Sequence, residues 1–230
     1  MSAGVGAHYR SLLATQHVVP LLGSAVLARL PTGVNALAVV LFLEARTGSF
    51  AFAGLVAGAL AIGSAVGAPL QGRLVDVRGA RRVLLPLSLV HAGGLVAIVV
   101  LGRAGAGVAP LMLAAFAAGA ALPPVSSVTR TLWPVLLAGR GSLLSAAFAL
   151  DAVVIEMVFV VGPLLAAGVS LWLGPAGALV VSAMAVVVGT TVFTALAPVR
   201  AMERRPHVRR GLLGALESTG MRTLVLVTLP

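Results

Sequence analysis

Apolar residues run along this chain in six long blocks, and the polar residues collect in short joints between them. After a polar lead at residues 1–16, apolar character holds to about Leu43. Further runs cover about Phe50 to Gln71, Val83 to Leu101, Val108 to the link at Gly139, Leu143 to Ala167 and Leu171 to Leu196. Each holds roughly 20 to 27 residues, and at about 1.5 Å rise per residue that crosses a hydrocarbon core of about 30 Å. The pattern predicts six membrane-spanning helices. Within the second, Gly54, Gly58, Gly63 and Gly67 recur at intervals that let a neighbouring helix approach closely. The fourth should kink at Pro123-Pro124 and turn polar on its inner half, with Ser126, Ser127, Thr129 and Arg130. The fifth carries Asp151 and Glu156 while the sixth carries no charge, a contrast that predicts the sixth to face lipid.

Composition agrees with that reading, because 60% hydrophobic residues, a mean hydropathy of +1.11 and 10% charged residues cannot coat a soluble globule of 230 residues. The net charge of +10 sits in the joints, which is a topogenic pattern and not a nucleic-acid surface. Arg10, the cluster from Arg73 to Arg82, Arg140 and the stretch from Arg200 to Arg210 fall on one side of the membrane, and only Arg46 and Arg103 fall opposite. The positive-inside rule then makes the N-terminus and residues 198–219 cytoplasmic. No cysteine is present and the four histidines are scattered, so neither a metal site nor a cofactor is expected. Three segments result: a six-helix transmembrane domain at 1–197, a basic cytoplasmic linker at 198–219 whose charge would also suit anionic lipid, and the cut-off start of a seventh helix at 220–230.

The joint from Gly72 to Arg82 holds five of the 22 charged side chains. Gly72, Leu74, Asp76, Gly79, Arg81 and Leu84 resemble, at the same spacing, the loop Gly-x-Leu-Ala-Asp-Arg-x-Gly-Arg-Lys-x-x-Leu between the second and third helices of major facilitator superfamily transporters. Val77 and Ala80 stand where that family has arginine, and charge reappears at Arg78 and Arg82. The resemblance implies an all-α bundle of two inverted three-helix repeats, working by alternating access as the N-terminal half of a plasma-membrane transporter. It implies a missing C-terminal half or a second copy as partner, and a small-molecule substrate. It also implies that Gly72, Asp76, Arg78, Gly79, Arg81 and Arg82 gate the cytoplasmic side, with Asp76 near a helix start in the other half; the plainer alternative is a solvated turn that fixes topology. Ala68-Pro69-Leu70 recurs as Gly162-Pro163-Leu164, as a repeat would require. Gly162-Pro163 also resembles the family's helix-five antiporter motif, with Val158 and Ala166-Ala167 replacing glycines.

Charges at membrane depth are expensive and face a partner or water, which singles out Arg29, Asp151 and Glu156, with Arg130 nearer the surface. Arg29 stands beside Pro31, Gly33 and Asn35, a kinked polar patch suited to lining a cavity and attracting an anionic group. Loss of hydration favours a carboxylate's neutral form, so Glu156 is the candidate for proton coupling. Asp151 lies about 140° round the helix from it, so the two acids form no dyad. Substrate or proton-pathway residues are therefore Arg29, Asn35, Asp151 and Glu156; the alternative is that Arg29 pairs with Asp151 or Glu156 only to neutralise charge. Trp133 and Trp172 are expected as interfacial anchors, and His91 as a packed or interfacial residue outside the cavity. A carrier of small solutes, most simply a proton-coupled exporter, then competes with a membrane-embedded assembly subunit or an inactive fragment. An enzyme would need a cluster of catalytic side chains at one depth that these helices do not offer.

Overall fold

The computed structural model describes residues 2–202, with side chains from His8 onward. All regular structure among them is helical: α1 Ser2–Leu13, α2 Val18–Thr47, α3 Phe50–Arg78, α4 Ala80–Arg103, α5 Val108–Ala120, α6 Val125–Leu136, α7 Gly141–Leu173, α8 Pro175–Ala195 and α9 Ala197–Met202. Six spans are long and apolar enough to cross a membrane, α5 and α6 together making one of them. The chain is thus an all-α, multi-pass membrane protein, as the hydropathy pattern predicts. The proposed linker beyond Met202 and the start of a seventh helix lie outside the described residues.

The joints are tighter than the apolar runs suggest. Charged residues of the Gly72–Arg82 stretch are helical on both sides, and only Gly79 interrupts them, at φ 87 and ψ 154. Arginine is a good helix former and carries the helix into the headgroup region, but that backbone geometry is open essentially to glycine alone. Gly174 makes the same one-residue joint between α7 and α8, at φ 73 and ψ 164, so α7 runs through the residues 168–170 expected as a link. The polar lead also folds: α1 buries Leu12 and turns into α2 at His17, whose φ is 71.

The bundle interlocks. α3 packs on α5 and α7 on α2, while α8 lies against both α2 and α4. Glycine permits these approaches: a Cβ on Gly63 or Gly67 would meet the backbone of Phe116 or Ala120, and one on Gly33 or Gly162 would strike the facing helix in the same way. Gly54 and Gly58 face open space, so only half of the α3 glycine series makes a contact. Val83, Leu84, Ser88, His91, Leu95, Ile98 and Val99 of α4 have buried counterparts, at one constant spacing, in Ala178, Leu179, Ala183, Val186, Thr190, Phe193 and Thr194 of α8. That register, with the paired glycine joints, is a second and stronger sign of internal repetition than the recurring prolines.

The sixth span packs against two helices on one face and leaves Val180, Met184, Val188 and Val192 exposed on the other, so freedom from charge does not make it a mainly lipid-facing helix. Its freedom from charge accompanies a row of small residues, Ala178, Ser182, Ala183 and Gly189, that lets α2 come so close that a Cβ on Gly189 would meet the backbone of Leu27 and Ala28. The charged fifth span, α7, is the one with the smallest buried share. Two apolar clusters stack along the helices, one holding Phe42, Leu60, Leu95 and Leu179, the other Leu21, Leu84, Leu132 and Phe193. The polar residues sit between them.

Candidate functional site

Asp151 is fully buried on α7 and both of its oxygens are engaged. Arg29 of α2 donates from Nη1 to Oδ1 at 2.7 Å, and Arg130 of α6 donates from Nε to Oδ2 at 3.4 Å. The two contacts differ in kind. The Arg29 side chain is 5% exposed and the bond is short, whereas the Arg130 side chain is 58% exposed and the bond is at the long limit. Two guanidinium groups on one carboxylate leave a surplus positive charge. Arg29 Nε and Nη2 are buried with no hydrogen-bond partner among the described residues. The arrangement ties three helices together and presents cationic donors that the other described residues do not saturate.

A second polar group lies deeper and is neutral. His91 Nδ1 donates to the carbonyl of Ala118 at 2.7 Å, because a carbonyl can only accept. His91 Nε2 is therefore the acceptor for Asn35 Nδ2 at 3.0 Å, and Asn35 Oδ1 accepts from Ser182 Oγ at 2.5 Å. Donation runs one way from α8 through α2 and α4 to α5, with each bond fixing the next. Donation ends beside the break between α5 and α6. Pro123 and Pro124 have no N–H, so Gly119 and Ala120 lose their helical donors, and a bare carbonyl in hydrocarbon costs roughly several kcal/mol. The Leu122 N–H reaches Gly119 instead and Gln71 Nε2 of α3 caps Ala120, while His91 adds a second bond to the Ala118 carbonyl, which also accepts from the Ala121 N–H at 3.2 Å. Sequence reasoning missed both roles, although Pro-Pro inside a span is the signal that a cap such as Gln71 must exist.

The expected site residues separate. Arg29 and Asp151 come together, and the partner of Arg29 is Asp151, not Glu156. Glu156 is exposed on α7 and makes no ion pair among the described residues. Asn35 is 2% exposed and belongs to the neutral network, so it does not line an open cavity. Arg130, left near the surface by sequence reasoning, is part of the cluster. Trp133 is fully buried and not an interfacial anchor; α6 turns its apolar face, with Val128 and Leu132, into the core. Trp172 is 89% exposed at the end of α7, where an anchor is expected. Asp76 is exposed on the last turn of α3 and lines a cleft of about 170 Å³ with Gly72, Ser127, Thr131 and Met202. There it meets the negative end of its own helix, which does not stabilise it. Arg78, Arg81 and Arg82 are exposed around the joint at Gly79, which is itself buried.

No protein-family model matches the chain, and no solved structure matches it. It is similar to a curated protein of Sinorhizobium fredii (strain NBRC 101917 / NGR234), "Uncharacterized MFS-type transporter y4rN", with 33% identity over 172 residues. The match covers 74% of this chain and 42% of that protein, so the chain spans about two fifths of the relative's length.

Proposed function

We propose that the chain is one six-helix half of a secondary transporter of small solutes, a proton-coupled exporter of the plasma membrane with its N-terminus in the cytoplasm. The observation that carries this is the position of Glu156. It lies near the middle of a spanning helix and exposed on the bundle surface, and an ionisable group at that depth does not face lipid. The surface of α7 around it is therefore the wall of a water-filled cavity or of a contact with another helical unit. A missing half or a second copy supplies the opposite wall, and rocking between the two gives alternating access. The relative's name and its greater length support the same reading. Arginine asymmetry supports the orientation. Glu156 carries the proton, Arg29, Arg130 and Asp151 form the fixed polar centre, and Asp76 with its neighbouring arginines holds the cytoplasmic side closed by reaching a helix start in the other half.

Flux in liposomes tests this. The bundle alone should give no saturable uptake, and the bundle joined to a complementary six-helix half should give uptake that responds to a pH gradient. Glu156→Gln should fold normally and remove that response. Saturable flux from a demonstrated monomer, or full pH-driven flux from Glu156→Gln, refutes the proposal.

A further inference from the structure

From the cluster at Asp151 we infer that this bundle binds the carboxylate group of a small organic anion, with Arg130 as the side chain that grips it. The inference deepens the proposed transport reading by naming a substrate class, and it rests on charge and unsatisfied donors. Arg29, Arg130 and Asp151 sum to one excess positive charge. Glu156 lies five residues along α7, about 140° away in projection, and does not cancel it. The excess is not held evenly. Arg29 keeps Asp151 through a short, shielded bond, so its charge is committed.

Arg130 touches Asp151 only through Nε, at 3.4 Å, and its two terminal nitrogens make no hydrogen bond to any described residue. A guanidinium fork with both terminal nitrogens free matches the two oxygens of a carboxylate, an arrangement that adds direction to charge. Ser127 and Thr131, also exposed on α6, turn instead to the cleft at Asp76, and Thr131 Oγ1 donates to the Val128 carbonyl. The partnerless Nε and Nη2 of Arg29 show that the cluster lacks an acceptor even in its buried part. A carboxylate arriving at Arg130 needs to displace only the weak contact to Asp151, and Asp151 keeps Arg29. The exchange leaves no charge stranded.

Trp133 supplies the test, because it is buried three residues along α6 from Arg130. In the Trp172→Phe background it is the sole tryptophan of the chain. Purified chain in nanodiscs is titrated with sodium butyrate or sodium chloride at constant ionic strength while its fluorescence is followed. Butyrate should give a saturating change and chloride should not. Arg130→Gln should weaken the butyrate response at least tenfold, and Arg130→Lys, which keeps the charge but loses the fork, should weaken it by less. Arg103→Gln, an exposed arginine at the other end of the bundle, should retain it. No saturable response to butyrate, an equal response to chloride, or an unchanged response in Arg130→Gln overturns the inference. Failure here with intact pH-driven flux would leave the transport reading standing, and butyrate binding without flux would do the reverse.

Discussion

Asp151→Asn should destabilise the bundle far more than any change to Arg130, although both remove one end of an ion pair to the same carboxylate. The Arg29 side chain is 5% exposed and Asp151 is its one charged partner among the described residues. Removing the carboxylate charge leaves a buried guanidinium unpaired, which costs about 3–5 kcal/mol. Asparagine retains an acceptor oxygen, and a hydrogen bond from a charged donor recovers about 1.5–3 kcal/mol of that. A net loss of about 2 kcal/mol follows. Arg130 is 58% exposed and 3.4 Å from its acceptor, so Arg130→Gln should cost no more than about 1 kcal/mol. The decisive comparison is a cycle of Arg29→Gln, Asp151→Asn and the double change, measured by unfolding in mixed micelles with Trp133 fluorescence as the signal. Each single variant should lose stability and the double variant should recover most of it, with a coupling of about 2 kcal/mol. Replacing the pair by Met and Leu should be neutral or stabilising. A coupling below about 0.5 kcal/mol would mean that the buried pair is not what holds α2 to α7.

Other expectations follow from the packing. Gly33→Ala places a methyl group against the Val158 carbonyl and should cost about 1–3 kcal/mol, whereas Gly54→Ala, in open space, should be neutral or slightly stabilising; equal melting points for the two would refute the close-approach account. Gly79→Ala must adopt a backbone geometry closed to other residues and should lose about 1–3 kcal/mol, read as a lower unfolding midpoint. Asn35→Leu removes the donor to His91 and the acceptor of Ser182 at once, and a loss of about 1–3 kcal/mol is expected on denaturation, against no change for a surface substitution such as Thr32→Val. Because the chain has no cysteine, Ala104→Cys should react with an impermeant thiol reagent from outside intact cells and Ser142→Cys only after permeabilisation; the opposite pattern would invert the topology.

Hydropathy made the six spans legible because each must be long and apolar whatever it packs against. It could not report which face of a span is covered. The sixth span has no charge and reads as lipid-facing, yet its small residues are a packing signal that matters only once α2 lies opposite. The same blindness applied to Glu156 and Asp151: both are acids at depth on one helix, and only the placement of Arg29 separates the buried, paired one from the exposed one. Asn35 and His91 lie 56 residues apart, and nothing local in the chain joins them. The Pro123-Pro124 break was a legible signal for Gln71, because it bares the Ala120 carbonyl and demands a side-chain donor from a neighbouring helix. Joint lengths were overestimated because charged residues were taken as loop, whereas a single glycine suffices to reverse a helix and the arginines simply continue it.

The two polar groups bear differently on motion. The chain from Ser182 through Asn35 and His91 to Ala118 gives each of its side-chain nitrogens and oxygens a partner and spans four helices, so sliding any one of them breaks a buried bond and leaves a donor or acceptor in hydrocarbon. The Arg29–Asp151 pair binds α7 to α2 with the same consequence. These contacts resist rearrangement within the bundle, and the interlocking of α3 with α5 and of α7 with α2 resists it further. On the proposed reading, transport would then be movement of the whole bundle against its partner, not of one helix against the next. On the same reading, the groups left to respond would be those not tied into the bundle: the exposed carboxylate of Glu156 and the terminal nitrogens of Arg130. Arg130 is exposed on α6 and Glu156 on α7, so a partner that rocks as proposed would alternately cover and uncover them.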